Sequence, residues 1–246
     1  MIDLHCHILP GIDDGARDID DSVAMAEQAA ADGIRTICAT PHIRADHQVR
    51  IHELADRVAQ LNAELSLRRC AVEVLTGGEV AETALAGLED AELEQVSLGG
   101  HGRWILLEPA PGALSDTLSL AVDHLAARGY RAVIAHPERH AAQDLFQRLA
   151  ALVSRGALVQ ATAALLVEGE AQAGMLEMAR AGAIHLLGSD SHSARIGRPV
   201  ALAAALQRLA SLEPIAGNVD WVAREAPAAI VAGQDVASPF VISTAP

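Results

Sequence analysis

Histidines and carboxylates recur along this chain in short polar clusters, and nearly every cluster follows an apolar run. Such nitrogen and oxygen donors are the usual protein ligands of divalent transition metals. Because they are scattered over most of the chain, they can meet only if the fold gathers the ends of several strands. We therefore expect a cluster of divalent metal ions. The clusters are His5-Cys6-His7, Asp13-Asp14-Gly15, Thr40-Pro41-His42, Gly77-Gly78-Glu79, Trp104 to Glu108, His136-Pro137-Glu138-Arg139 and Asp190-Ser191-His192.

The clearest local pattern is the pair His5 and His7. Alternate residues of a strand point to one side, so both imidazoles should face the same way while Cys6 points away. Asp190 and His192 have the same spacing, and we expect the same arrangement of them. The alternative is that the two histidines are incidental polar residues at a strand end. The similar clusters at the other strand ends disfavour this alternative.

Several acidic side chains have a simpler explanation. Alone, Glu79 or Glu108 could equally be a helix-capping or surface acid, and the neighbouring histidine clusters make them candidate ligands. Asp18, Asp20 and Asp21 lie at the first turn of a segment of helical periodicity. We expect these three to cap that helix and to interact with its dipole.

Short apolar runs alternate with segments of helical periodicity, which predicts βαβ units and a parallel sheet. A (β/α) barrel gathers functional residues at the carboxyl ends of its strands. An open doubly wound sheet is the competing architecture, but no glycine-rich dinucleotide motif follows the first strand. The sixth strand ends in Gln160-Ala161-Thr162 and offers no comparable ligand. The predicted strands are residues 2–4, 35–39, 71–76, 104–107, 132–135, 157–160 and 184–187.

Composition narrows the class of protein further. A chain of 246 residues suits one domain over residues 1–246. The formal charge is −14 and the basic residues are all arginines, so binding to a nucleic-acid backbone is not expected. No apolar run matches a membrane span, and no basic start leads into an apolar signal segment. Together with three unpaired-looking cysteines, these features predict a cytoplasmic protein without membrane insertion.

One motif suggests a different chemistry. Cys38 and Arg44 have the Cys-x5-Arg spacing of thiol-based phosphotyrosine phosphatases. That chemistry needs a nest of backbone N–H groups around the phosphate, whereas Pro41 removes one donor and the loop contains no glycine. We interpret this spacing as a coincidence.

The order of the clusters resembles the PHP (polymerase and histidinol phosphatase) superfamily. More narrowly, residues 1–15, with His-x-His and Asp-Asp-Gly, look like the opening of bacterial tyrosine phosphatases from capsule and exopolysaccharide loci. The resemblance extends to the segment 225–230. It implies an α/β fold, a distorted (β/α)7 barrel of the PHP type in a single domain.

The resemblance also implies a ligand set for three divalent ions, usually manganese, although such ligands accept iron or zinc as well. Arg139 and Arg198 match the arginines that bind phosphate in this family. The stretch from Asp190 to Arg198 is one residue longer than usual, so Arg195 is an alternative. The three ligand sets are His5, His7, Glu79 and Asp190; Glu79, Glu108 and His136; and Asp14, His42 and His192.

The implied activity is that of a metal-dependent protein-tyrosine phosphatase. Its substrate would be the phosphorylated tail of a bacterial tyrosine kinase that regulates capsule or exopolysaccharide synthesis. A small-molecule phosphomonoesterase of the histidinol-phosphatase type is the alternative enzyme, and a metal-stabilised binding module is the non-catalytic alternative. The sequence leaves open the oligomeric state, the identity of the kinase, and the preference for phosphotyrosine over other phosphomonoesters.

Overall fold

Parallel β-strands form the centre of the molecule in the computed structural model, which describes residues 1–140 and 142–244. Neighbouring strands pair in parallel throughout these ranges. The strands are β1 (Ile2–Cys6), β2 (Thr36–Ala39), β3 (His42–Ile43), β4 (Glu73–Leu75), β5 (Glu79–Ala81), β6 (Trp104–Glu108), β7 (Arg131–Ala135), β8 (Leu158–Thr162) and β9 (Leu186–Gly188). They make one sheet in the order β1-β2-β4 and a second in the order β3-β5-β6-β7-β8-β9.

The seven predicted strands are present, and β3 and β5 are two short strands that the sequence did not predict. Each continues the course of a longer strand after an interruption, at Pro41 between β2 and β3 and at Gly77-Gly78 between β4 and β5. Proline cannot donate to the ladder, and glycine weakens a strand, so the chain changes sheets at these points. Two or three residues are also too few for a periodic signal.

The two sheets meet where β1 approaches the segment after β9. The amide of Asp190 donates to the carbonyl of His5 at 2.8 Å, and the amide of His7 donates to the carbonyl of Ser191 at 2.9 Å. Cys6 and Ser191 form an isolated parallel bridge. The parallel α/β architecture is therefore confirmed. The described strands form two sheets joined by this bridge rather than one continuous ladder, so a closed barrel stays a prediction.

Helices connect most of the strands and cover the sheets. The first helix is capped by Asp18, whose side chain accepts from the amide of Asp21 at 2.8 Å, and it ends at Gly33 in a left-handed conformation. The helices described are α1 (Ile19–Asp32), α2 (Leu54–Leu67), α3 (Asp90–Val96), α4 (Asp116–Ala127), α5 (Leu145–Ser154), α6 (Ala163–Val167), α7 (Gln172–Arg180), α8 (Ala203–Leu209) and α9 (Ala226–Val231).

The apolar core is aliphatic, as the composition indicates. Beneath the polar strand ends, Leu4, Leu106, Val133 and Leu186 pack around the buried indole of Trp104. The Trp104 Nε1–H donates to the carbonyl of Gln234 at 2.8 Å, so the indole brings no unsatisfied donor into the core. Within the described residues, no helix combines the length and the hydropathy that crossing a bilayer requires.

Candidate metal centre

All nine predicted metal ligands come together at the carboxyl ends of the strands. His5 lies at the end of β1 and His7 directly follows it. Their imidazoles point to the same side, as the strand periodicity predicts. Six of the nine are buried side chains, and Asp14, Glu108 and His192 are more exposed and border an open cavity together with buried His42. The nine are His5, His7, Asp14, His42, Glu79, Glu108, His136, Asp190 and His192.

Three donor atoms form a nearly equilateral triangle. His5 Nε2 is 3.3 Å from His7 Nε2, and Glu79 Oε2 is 3.4 Å and 3.3 Å from these two nitrogens. Ligands about 2.1 Å from a tetrahedral ion would be about 3.4 Å apart, so this spacing is that of a metal site. Asp190 Oδ1 adds a fourth donor, 3.6 Å and 3.7 Å from the same nitrogens.

A second group of donors surrounds Asp14, next to the open cavity. Asp14 Oδ1 lies 3.4 Å from His42 Nε2 and 3.6 Å from His192 Nε2. The imidazole of His7 stacks on that of His192 with 3.9 Å between ring centroids. The donor atoms of these four side chains lie within 4.8 Å of one another, which is close enough to hold one ion. They include the predicted set Asp14, His42 and His192.

The remaining donors group around Glu79, and here the grouping differs from the predicted one. His136 Nε2 is 2.7 Å from Glu79 Oε1, as expected for a shared site. Among the ligand candidates, however, Glu108 groups with His42, with 3.8 Å between Oε2 and Nδ1, and both group with Glu79. His136 also groups with His5 and Asp190 rather than with Glu108. The division of the ligands among three ions stays a prediction.

Unpaired buried atoms test whether cations fit this site. Glu79 Oε2, His42 Nδ1 and His136 Nδ1 are buried, and within residues 1–140 and 142–244 none of them has a hydrogen-bond partner. The first two lie 2.9 Å apart, but their geometry is not that of a hydrogen bond. A buried carboxylate oxygen without a partner is costly, and a bound cation would satisfy it. The donor set therefore fits divalent metals.

The electrostatics of the centre keep the carboxylates of Glu79 and Asp190 ionised. Burial by itself raises the pKa of Glu79, but His5, His136 and His42 hold that pKa well below its usual value. Burial likewise opposes ionisation of Asp190, and His5, Arg139 and Arg198 nevertheless lower its pKa to about 2. Charged carboxylates in a dry setting are the form that ligates a metal.

Two further residues orient the first histidine pair. His5 Nδ1 lies 2.8 Å from Gln160 Oε1, and His7 Nδ1 lies 2.9 Å from Asp13 Oδ2. An Nδ1–H that donates to an oxygen leaves Nε2 free to bind an ion, which is the usual support of metal-binding histidines. The sequence indicated no metal ligand at the end of the sixth predicted strand; Gln160 at that end instead supports the site by holding His5 in place.

Asp21 lies in the first turn of α1, as predicted, and it also makes contacts that the sequence did not indicate. It is fully buried, and its carboxylate accepts from the Ser193 hydroxyl at 3.1 Å and from the Ala194 amide at 3.1 Å. Asp18 is a capping residue as predicted, and exposed Asp20 pairs with Arg68 at 2.8 Å. Asp21 additionally joins α1 to the loop after His192. Its partners are too distant in the chain for local periodicity to indicate.

The two predicted phosphate-binding arginines converge on Asp190. Arg139 contacts Asp190 Oδ2 through its guanidinium, and Arg198 Nη2 lies 3.0 Å from the same oxygen. Both arginines are partly exposed and border a cavity of about 410 Å³. Arg195 does not line it. The cavity wall consists of Asp14, His42, Arg44, Glu108, Arg139, His192, Ile196, Gly197 and Arg198.

Arg44 is a cavity residue that the sequence did not indicate as functional. Its Nη1 lies 3.4 Å from Glu108 Oε1 and its Nε donates to Asp46 at 2.8 Å. Cys38, the cysteine of the Cys-x5-Arg spacing, is fully buried within β2, and burial raises the pKa of its thiol to about 12. Because a thiolate is the reactive species, Cys38 is unsuited to nucleophilic chemistry, as predicted.

Two ligand candidates have unusual backbone conformations. His136 has φ +33° and Asp190 has φ +48°, although neither is glycine. Left-handed backbone at such residues costs on the order of 1–3 kcal/mol and persists where the surroundings enforce it, commonly at functional sites. His136 directly follows β7 and Asp190 lies two residues after β9, so both left-handed residues stand where the chain leaves a strand for the centre.

The parallel α/β fold and a buried histidine–carboxylate centre define a metal-binding class of protein, and comparisons with known proteins identify its family. The profile of the capsular polysaccharide synthesis family CpsB/CapC matches residues 1–212. The chain belongs to this family, which confirms the resemblance to capsule-locus phosphatases.

Two named relatives and one solved structure are similar to most or all of this chain. The tyrosine-protein phosphatase YwqE of Bacillus subtilis is 36% identical over 204 residues, which cover 79% of this chain and 78% of YwqE. The tyrosine-protein phosphatase CpsB of Streptococcus pneumoniae is 25% identical over 213 residues, covering 78% and 83%. A crystal structure from a study of YwqE and CpsB, described as unique metal-dependent tyrosine phosphatases, superposes with a TM-score of 0.83 at 28% identity and covers both chains completely.

Proposed function

We propose that this chain is a metal-dependent protein-tyrosine phosphatase. The observation that carries the proposal is the buried triangle of His5, His7 and Glu79 next to two arginines that border an open cavity. Two of its relatives, YwqE and CpsB, are named tyrosine-protein phosphatases. The activity would hydrolyse the phosphate ester of a phosphotyrosine residue, giving inorganic phosphate and a tyrosine residue with a free hydroxyl.

The proposed ligand sets follow the resemblance. His5, His7, Glu79 and Asp190 would hold one ion; Glu79, Glu108 and His136 a second; and Asp14, His42 and His192 a third. Manganese is the proposed metal, with iron or zinc as alternatives. Divalent ions in such a site provide Lewis acidity and lower the pKa of water toward ~7.

The side chains at the cavity would bind and orient the substrate. Arg139 and Arg198 present guanidinium groups that match phosphoryl oxygens bidentately and offset the charge that spreads over them during transfer. The position of Arg198 on the cavity wall favours it over Arg195 as the second arginine. A tyrosine leaving group has a pKa of ~10, low enough that a dedicated general acid is not needed.

The proposed substrate is a phosphotyrosine in the tail of a bacterial tyrosine kinase that regulates capsule or exopolysaccharide synthesis. The family description, capsular polysaccharide synthesis, supports this biological setting. We also propose a cytoplasmic location and a distorted (β/α)7 barrel formed by one domain over residues 1–246. The bridge between β1 and the segment after β9 supports the barrel.

Metal removal tests the proposed activity. Protein treated with EDTA should lose turnover of a phosphotyrosine peptide and regain it with Mn²⁺, measured as released phosphate. Asp190→Ala should abolish turnover because it removes a ligand and the partner of both arginines. Asp20→Ala, at an exposed acid, is the matched control and should behave as the unmodified protein. Full activity in chelator would contradict the proposal.

A substrate panel separates this function from the alternative enzyme. The kcat/KM for the phosphotyrosine peptide should exceed that for histidinol phosphate in the manganese-loaded protein. The opposite order would assign a small-molecule phosphatase to the same centre. Metal-dependent binding without turnover of either compound would instead favour a binding module.

A further inference from the structure

The cavity beside the metal centre has one apolar side chain in its wall. Ile196 is 82% exposed, and the rest of the described wall consists of charged residues, imidazoles and a glycine. Single exposed aliphatic side chains are common and need no explanation by themselves. Among the exposed large apolar residues described, however, Ile196 alone belongs to this cavity; the others are Ile19, Leu67, Leu120, Val167 and Val241.

The loop that carries Ile196 is anchored on both sides. On the amino-terminal side, Ala194 donates its amide to Asp21 at 3.1 Å and accepts from Gln28 Nε2 at 2.8 Å. On the carboxyl-terminal side, the Ser191 hydroxyl donates to the carbonyl of Arg198 at 2.7 Å. The fold therefore holds the loop with Ile196 at a defined place on the rim. Because the loop is positioned before a ligand binds, little conformational entropy is lost on binding.

The polar wall and the single aliphatic side chain divide the cavity by chemistry. Arg139 and Arg198 suit a phosphoryl group, and Arg198 is only two residues from Ile196. A phosphate bound by Arg198 would thus have its ester substituent near the rim of the loop. Apart from the imidazoles of His42 and His192, no aromatic side chain is present in the described wall, so a ring would find its apolar contact at Ile196.

We propose that Ile196 is the apolar contact for the aromatic ring of an aryl phosphate and so determines the preference for phosphotyrosine over alkyl phosphates. This inference rests on the proposed function, whose substrate class it specifies. Contact of one aliphatic side chain with a ring corresponds to about tenfold in affinity. The phosphoryl contacts would contribute equally to aryl and alkyl substrates.

Two phosphonates that cannot be hydrolysed test the contact directly. Phenylphosphonate and methylphosphonate offer the same anionic group with and without a ring, and their binding to the manganese-loaded protein can be measured by calorimetry. Ile196→Ser should weaken phenylphosphonate binding about tenfold and leave methylphosphonate binding unchanged. Ile196→Leu should preserve binding of both. Leu67→Ser, at an aliphatic residue that is 79% exposed on α2, is the matched control and should change neither.

Kinetics separate failure of this inference from failure of the proposed function. With a phosphotyrosine peptide, Ile196→Ser should lower kcat/KM about tenfold, mainly through KM. Normal turnover of the peptide together with unchanged phenylphosphonate binding in Ile196→Ser would overturn the inference alone. Equal weakening of both phosphonates would also overturn it, because the residue would then support the arginine rather than the ring. A protein that prefers histidinol phosphate to the peptide would overturn both.

Discussion

Asp13 Oδ2 lies 2.9 Å from His7 Nδ1, and the same oxygen accepts from the amide of His42 at 3.1 Å. One buried carboxylate thus orients an imidazole at the end of β1 and the backbone at the start of β3. Although burial opposes both shifts, Asp13 and Glu79 together raise the pKa of His7 to about 10, and His7 lowers the pKa of Asp13 to about 2. The charge of Asp13 is available to strengthen His7 as a ligand.

Replacing Asp13 should therefore weaken metal binding without removing a ligand. We expect Asp13→Ala to lower the affinity for Mn²⁺ by about 10- to 100-fold, the usual cost of losing such a support. Calorimetric titration of chelator-treated protein measures this directly. Asp20→Ala serves as the control, and an Asp13→Ala affinity within twofold of the control would show that Asp13 does not support the site.

Gln160 offers the same kind of test on the other histidine. Gln160→Met keeps the length of the side chain but removes the oxygen that accepts from His5 Nδ1. We expect about tenfold weaker Mn²⁺ binding and a corresponding rise in the metal concentration needed for turnover. Gln172→Met, on α7 away from the centre, is the matched control. Unaltered metal dependence in Gln160→Met would refute the role of Gln160.

Asp21 should affect substrate binding rather than metal binding. Asp21→Ala removes the acceptor for Ser193 and Ala194 and releases the loop that carries Arg198. We expect KM for the phosphotyrosine peptide to rise about tenfold, because an arginine that is no longer positioned binds phosphate less well. The Mn²⁺ affinity should stay unchanged. A parallel loss of metal affinity would place the effect in the centre instead of the loop.

Cys38 provides a test of the thiol mechanism. Cys38→Ser should retain near-normal kcat/KM in the manganese-loaded protein, since the thiol is buried and its pKa is raised to about 12. The measurement is phosphate release from the phosphotyrosine peptide, with circular dichroism as the control for folding. A folded but inactive Cys38→Ser variant would contradict this prediction and support Cys38 as the nucleophile.

His185 makes stability depend on pH independently of the metal centre. It packs against Phe240, with 5.8 Å between ring centroids, and burial lowers its pKa from 6.5 to about 4. The unfolded chain binds the proton more readily in this window, so the free energy of unfolding should fall as the pH drops from 6.5 towards 4. The contribution is at most about 1.4 kcal/mol per pH unit.

Denaturant titrations of chelator-treated protein across that window measure the slope. The amide of Val159 donates to His185 Nδ1 at 3.2 Å. His185→Asn keeps an acceptor for this amide but has no titrating group. Its stability should therefore depend less steeply on pH than that of the unmodified protein. His52→Asn, at an exposed histidine, should keep the original slope. Identical slopes for all three proteins would contradict the assignment.

The sequence by itself determined the residue types at the strand ends and the alternation of strands with helices. Period-two alternation alone places His5 and His7 on one side of β1, and parallel strands must bring their carboxyl ends to one edge. The nine ligand candidates were predicted in this way or through the family resemblance. Local sequence patterns sufficed to find these candidates because each motif is only a few residues long.

Only the tertiary structure decided how those residues are supported. Gln160 and His5 are 155 positions apart, and Asp21 and Ser193 are 172 apart, so no spacing in the chain relates them. The breaks at Pro41 and Gly77-Gly78 likewise become visible only when the strands that follow pair with each other. Hydrogen bonds between distant side chains depend on how whole elements pack, and that packing is a property of the complete fold.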